Sequence, residues 1–331
     1  MAKNNSLGLI FRVDKQVGRG DVIDIISDFA DGSVVRKQFH HEFCDGLGAL
    51  FLSAQEWSGS SITLPSRRIR ITPSLRQFVS GFRGFVEDLA PHETKWKVYD
   101  STQPYSPDLI ARRVFSHSSS DLILQTARVK GVSVNALMLW HLNSVISNLL
   151  MSPDQISCHW VVPVNMRRRR GEESRTENRI SSVGLHFNKN WDVKRLADLY
   201  TSKLNPIHAF ANEILTEMLA LLGEEKLLKL AQSRGGSNSW TGIFTNLGQW
   251  NFPNLPQMHR WPEAVSITPP GGTPVLPIGA GIMTWRGHLS VSIRLHPALS
   301  AHEPRLPEAL LDGVKNSLER EIGKTTSLLR E

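Results

Sequence analysis

Residues 40–46 read His40-His41-Glu42-Phe43-Cys44-Asp45-Gly46, and what flanks them decides the architecture. Upstream, residues 21–29 are apolar and open to a strand or a helix. Asp31-Gly32 is a turn pair, and residues 34–39 read as the returning strand. Downstream, residues 47–57 read as a helix. Two histidines, an aspartate and a glycine thus fall at a strand-to-helix junction, where α/β proteins place ligands. A neutral imidazole, with an ordinary pKa of about 6.5, suits the role of base near pH 7. Asp45 is placed to orient a ring, hold a loop or pair with a buried arginine. Gly46 permits a turn or a close backbone approach. A metal site would need further ligands, and no His-x-x-x-His, Cys-x-x-Cys or third nearby carboxylate supplies them; no bound metal is expected.

Working outward, residues 7–13 read as a strand, 58–72 as a polar loop with Arg67, Arg68 and Arg70, and 75–89 as a helix. Residues 109–115 follow as a strand. A helix over 121–130 is capped by one of residues 118–120 and stopped at Gly131. Val134, Met138, Leu142, Val145, Ile146 and Leu149 recur at helical spacing. Strands are expected at 158–164, 180–187 and 242–247, and a helix over 210–230 with a break at Gly223. Residues 275–285 and 288–295 form a hairpin around Arg286-Gly287. In its second arm Leu289, Val291, Ile293 and Leu295 alternate with Ser290, Ser292 and Arg294, the pattern of a half-buried strand. A helix over 307–329 closes the chain. Alternating strands and helices imply an α/β fold with mixed sheets flanked by helices.

The composition agrees with a globular chain. Its 331 residues include 40% apolar and 21% charged residues, with a formal net charge of +7. That excludes intrinsic disorder and a collagen-like fibre. Basic residues are spread along the chain except at Arg167–Arg170, so a nucleic-acid partner is not expected. That run suits a phosphate, an acidic carrier protein or an RNA, or is a solvated loop. Cys44 and Cys158 make no disulfide framework and fit a reducing compartment. Residues 132–151 are apolar but carry Asn135, His141, Asn143 and Asn148, which reads as an amphipathic or buried helix rather than a membrane span. No signal peptide is expected, and the expected location is the cytoplasm.

His40-His41-x-x-x-Asp45-Gly46 resembles the HHxxxDG signature of the chloramphenicol acetyltransferase-like superfamily, which includes the condensation domains of peptide synthetases. Further resemblances follow in order: Gly131-Val132-Ser133-Val134-Asn135-Ala136-Leu137, then Trp160-Val161-Val162-Pro163-Val164-Asn165-Met166-Arg167, then Thr245-Asn246-Leu247-Gly248. The resemblance implies two lobes, here 1–105 and 106–331, with a channel between them. It also implies a first lobe shortened by a small subdomain, since only 39 residues precede His40. His41 would be the general base, His40 and Asp45 would be mostly structural companions in the catalytic motif, and Gly46 would keep the loop tight. The arginine partner of Asp45 is expected among Arg12, Arg19, Arg36 and Arg294.

The implied chemistry is acyl transfer from a thioester to a hydroxyl or amine. Coenzyme A is the favoured carrier of the acyl group, and a phosphopantetheine thioester on an acyl carrier protein is the alternative. Thr245, Asn246 and the Gly46 N–H are the candidate oxyanion donors, and Arg167 the candidate contact to donor phosphates. Cys44 is expected to be a buried filler rather than a nucleophile. Two other readings stand beside this one. His40-x-x-x-x-Asp45 has the spacing of glycerolipid acyltransferases, and a non-catalytic binding protein could use the same fold.

Overall fold

The computed structural model describes residues 9, 12–13, 15–16, 21–59, 74–88, 93–167, 178–204, 206–233, 240–251, 260–300 and 303–328. Two sheets organise the chain. The smaller has the order β2-β1-β7, from β1 (Val22–Asp28), β2 (Val34–His40) and β7 (Ala264–Thr268). The larger has the order β3-β9-β8-β6-β4-β5. Its strands are β3 (Ile110–Val114), β4 (Ser157–Asn165), β5 (Ile180–Asn188), β6 (Gly242–Trp250), β8 (Ile278–Trp285) and β9 (His288–Leu295). It is mixed: β4 runs parallel to β6 and β6 to β8, while β5, β9 and β3 run antiparallel to their neighbours.

Helix α1 (Gly46–Ser58) follows β2 directly and packs on β1. Helix α2 (Leu75–Asp88) lies against α6 (Pro206–Ala220) and β5. Helices α3 (His117–Val129), α4 (Val134–Leu149), α5 (Val193–Lys203) and α9 (Leu306–Leu328) cover the larger sheet. Caps set their starts. Ser133 accepts from the Ala136 N–H at the head of α4, and Asp192 from the Arg195 N–H at the head of α5. The first turn of α3 begins earlier than its serine run suggests, because Ser116 is its cap. The chain breaks at Gly223 between α6 and α7 (Glu224–Ser233), and the one-turn helix α8 (Pro297–Ser300) follows β9.

Four local expectations change. The described residues within 7–13, namely 9, 12 and 13, are helical rather than extended. Helix α5 and strand β7 have no counterpart in the sequence reading. Strand β9 is buried on both faces rather than half-buried. Its apolar side joins the core beneath α3, α4 and α9. Its polar side is covered by β7: Ser290 Oγ donates to the Val265 carbonyl at 2.7 Å, and Ser292 Oγ donates to that of Ile267. Gly281 lets β8 lie close beneath the same strand. A Cβ on Gly281 would lie 2.0 Å from the Ile267 carbonyl oxygen, so the approach requires the missing side chain.

Beside the serines, Arg294 bridges the sheets. It is buried, and it pairs with buried Asp24 of β1 while donating to the carbonyls of Val22 and, at 3.1 Å, Pro269. Arg36 reaches the other oxygen of Asp24 at 2.6 Å. Nearer the edge, Arg112 of β3 grips Asp28 with both terminal nitrogens at 2.5 Å. A second core lies under α1, where Trp57, Trp261 and Trp285 meet with ring centroids 5.5–6.0 Å apart.

Removing one member of a buried pair leaves an uncompensated charge, which costs about 3–5 kcal/mol. Because Arg36 still reaches Asp24, Arg294→Met is expected to cost no more than the lower end of that range in urea unfolding. Asp24→Asn combined with Arg294→Met should recover a substantial part of the loss. Equal losses in the single and double variants would show that the pair does not join the sheets.

Candidate active site

The motif occupies the junction it was expected to occupy, and its consecutive histidines part there. His40, the last residue of β2, turns outward. Its side chain is 48% exposed and its Nδ1 lies 3.2 Å from Asp21 Oδ1. His41 turns inward and is 4% exposed. Its N–H donates to the Asp21 carbonyl at 2.6 Å, which ties the end of β2 to the start of β1. The two rings thus face opposite ways, His40 toward solvent and Asp21, His41 toward the interior.

Asp45 holds the junction in shape. Its backbone is extended and its carboxylate caps α1 by accepting from the Gly48 N–H at 2.8 Å. Arg167, at the end of β4, clamps both carboxylate oxygens, Nη1 to Oδ2 at 2.8 Å and Nη2 to Oδ1 at 2.9 Å. The Arg179 N–H adds a fourth donor at 2.9 Å. Asp45 is 0% exposed and Arg167 1%. This corrects two expectations. Arg167 does not face solvent to meet a donor's phosphates, because burial and a bidentate bond commit it to Asp45. It is also the arginine partner sought among Arg12, Arg36 and Arg294. Arg12 lies 3.6 Å from Glu42, and the other two hold Asp24. Arg19 and Arg168–Arg170 lie outside the described residues.

A cavity of about 480 Å³ opens beside His41, between the two sheets. The small sheet contributes Ile23 and Ile267, and the head of α1 contributes Gly46 and Leu47. The large sheet contributes Pro163, Asn165, Ile180, Ile243 and residues 245–250. The gap arises because β4 and β6 pair only at Trp160–Gly242 and Val161–Ile243 and then diverge. The register of β6 against β8 also shifts between Asn246 and Gln249, a bulge of the kind found beside active sites. Gly46 sits close to the cavity wall: a Cβ would lie 2.9 Å from Ile267 Cδ1 and 3.2 Å from Leu247 Cδ2, so those side-chain tips would have to shift.

His41 is the one titratable side chain among the described residues lining the cavity. Burial pushes its pKa down to about 4. The charges of Asp45 and Asp21, and hydrogen bonds from its own backbone and Asn178, oppose that only in part. The imidazole is therefore neutral at pH 7. Thr245 and Asn246 both line the cavity. The Asn246 amide is engaged elsewhere, donating to Asn135 Oδ1 and accepting from the Gly248 N–H at 2.7 Å. Cys44 is buried off the cavity, and burial raises its thiol to about 12, which removes it as a thiolate nucleophile. Asn178, buried and donating to the His41 carbonyl, has no counterpart in the sequence reading. Among the described residues, no group of three His, Cys, Asp or Glu side chains could hold a metal ion. No helix among them is long and apolar enough to cross a membrane.

No family model and no curated protein matches the sequence. Solved structures do. A cyclization–docking bidomain of a nonribosomal peptide synthetase from Sorangium cellulosum superposes with a TM-score of 0.56 at 16% identity, over 87% of this chain and 60% of that one. Trichothecene 15-O-acetyltransferase from Fusarium sporotrichioides gives a TM-score of 0.54 at 12% identity, over 96% of this chain and 75% of that one. A four-domain nonribosomal peptide synthetase bound to AMP and glycine gives 0.52 at 12% identity, over 88% of this chain and 23% of that one. The chain spans less than two thirds of both peptide-synthetase structures. With its mixed sheets, flanking helices and intervening cavity, it has the chloramphenicol acetyltransferase-like, condensation-domain fold.

Proposed function

We propose that this protein is an acyltransferase that moves an acyl group from a thioester to a hydroxyl or amine, with His41 as general base. One observation carries the reading: among the described residues that line the cavity, the one titratable side chain is a neutral imidazole. A ring nitrogen of His41 takes the proton of the acceptor as its oxygen or nitrogen bonds to the thioester carbonyl. The tetrahedral intermediate then collapses, the carbon–sulfur bond breaks, and the imidazolium returns the proton to the departing thiolate. The Gly46 N–H belongs to the first turn of α1, which has no intrahelical acceptor, at the positive end of the helix dipole. It and the Thr245 hydroxyl are the donors we assign to the oxyanion. Asn246 is assigned the shaping of the β6 bulge. Asp45 and Arg167 are positioning residues that fix where α1 begins.

The acyl group arrives on coenzyme A or on the phosphopantetheine arm of a carrier protein. Burial of Arg167 takes that arginine of the 167–170 run away from the phosphates of coenzyme A, and Arg168–Arg170 lie outside the described residues. The peptide-synthetase neighbours give the carrier-protein donor equal standing.

Thiol release from a panel of acyl-coenzyme A and acyl-carrier-protein donors tests the reading. The wild type is expected to release thiol in the presence of an acceptor. His41→Ala should lose about 10²-fold or more in kcat while keeping the wild-type far-UV spectrum. Turnover surviving in His41→Ala would remove His41 from the chemistry.

The pH dependence has a defined sign. The base works only when neutral, so kcat/KM should stay level from pH 7 to about 5. It should fall only as His41 protonates near pH 4. An acid limb centred near 6.5 would contradict the buried imidazole. Stability changes over a wider window. Burial also lowers His141 and His296 to about 4, while unfolded histidines titrate near 6.5. The unfolded chain thus binds more protons between those values, and stability should decline as pH falls from about 6.5 to about 4. Urea midpoints measured across that range check this separately from activity.

Arg167→Lys keeps the charge and loses the fork. It is expected to lower kcat more than it raises KM for the donor, because it loosens the loop that carries His41. A selective rise in donor KM would instead return Arg167 to substrate binding.

A further inference from the structure

The β6 bulge beside the cavity is held from outside the sheet by a chain of side chains. Asn135, the second residue of α4, donates through Nδ2 to the hydroxyl of Tyr200 on α5 at 3.1 Å. Its Oδ1 accepts from Asn246 Nδ2. Asn246 uses its other end in turn, with Oδ1 accepting from the Gly248 N–H at 2.7 Å. Tyr200 is buried in the core of the larger sheet, so the chain starts from a fixed anchor. The far side of the bulge is fastened as well: the Trp250 indole N–H donates to the Leu247 carbonyl at 2.9 Å. Between these two ties Gly248 turns with a φ of 86°, in the left-handed region that glycine enters freely.

The bulge is also a wall. Residues 245–250 line the cavity, and the tip of Leu247 lies against Gly46 at the head of α1. An amide carries an acceptor oxygen and a donor nitrogen on one rigid plane. Two amides in series, each using both ends, therefore fix direction as well as distance from α5 through α4 to the bulge. We infer that Asn135 is the positioning residue for this wall: it sets where Leu247 stands, and with it the length of acyl group that fits beside His41. The inference deepens the acyl-transfer reading and rests on it for the nature of the substrate, but the position of the wall is measurable without turnover. An apolar pocket separates substrates one methylene apart by about 10-fold or more, and it does so only while its wall is held.

The experiment uses the full chain labelled with ¹⁵N-tryptophan. The Trp250 indole signal, assigned by its absence in Trp250→Phe, reports the bulge through its bond to the Leu247 carbonyl. Thiol release from straight-chain acyl donors of increasing length gives the selectivity, read as the ratio of kcat/KM between the best donor and the next longer one. Asn135→Ala is expected to displace the indole signal and to lower that ratio about 10-fold. Asn135→Asp keeps an acceptor for Asn246 and a partner for the Tyr200 hydroxyl. It should keep the wild-type signal and ratio, which a position sensitive only to misfolding would not show. A role in stability alone would lower turnover of every donor alike, and an unchanged ratio in Asn135→Ala would overturn the inference. So would an indole signal that does not move. A signal displaced in Asn135→Ala and kept in Asn135→Asp, with no thiol release from any donor in the wild type, would uphold the positioning of the wall and overturn the acyl-transfer reading.

Discussion

The carboxylate of Asp45 is the point on which the site depends. A buried charge is tolerated only when it is paired and its remaining lone pairs are used. Asp45 meets both terms with a guanidinium fork and two backbone N–H groups. These donors come from three places: the end of β4, the first turn of α1, and the approach to β5. Their convergence fixes the small sheet's active-site turn against the large sheet. Fork geometry matters as much as charge, since two parallel N–H···O bonds set an orientation that a point charge would not. The same commitment turns Arg167 toward Asp45, and no cation lines the cavity among the described residues.

The rest of the contact between the sheets follows the same rule of paired polarity. A sheet buried on both faces usually carries apolar residues on both. Here the second face of β9 presents Ser290, Ser292 and Arg294, and β8 presents glycine in alternate positions. These residues accept β7 at close range, with serine hydroxyls satisfying its carbonyls and Arg294 meeting Asp24. Each sheet is thereby held at a set distance from the other. The cavity is the space that remains where β4 and β6 part.

This explains what was legible in the sequence and what was not. The 40–46 motif, the hairpin around Arg286-Gly287 and the helix at 134–149 are local patterns, and local patterning places them within about three residues. Strand β7 escaped because Ala264–Thr268 is short and pairs with β1, some 240 residues earlier in the chain. Once β7 is missed, the alternation in β9 reads as a solvent-facing edge, although its polar residues are an interface. Arg167 was visible as a residue but not as a partner. It opens a run of four arginines, which looks like a surface feature, and its burial comes from the long-range approach of β4 to Asp45. A polar residue ending an apolar strand, as Asn165-Met166-Arg167 ends β4, is the signal that argues for burial.

The same burial that keeps His41 neutral also makes it a weak base, and the two effects bear on mechanism together. An imidazole with a pKa near 4 does not remove a proton from a free alcohol or amine to any useful extent. Under the proposed reaction it has no need to, because the proton moves as the acceptor bonds to the carbonyl. The imidazolium then forms together with the oxyanion, and the two charges neutralise each other across a short distance of low-dielectric cavity. Asp45 and Asp21 favour that imidazolium, while the Arg167 guanidinium neutralises Asp45 in the resting site. A charged side chain in the lining would hold water or a counter-ion in the resting state and blunt this coupling. A lining that carries, among the described residues, one buried imidazole and no charge reserves the electrostatic gain for the moment when both charges appear.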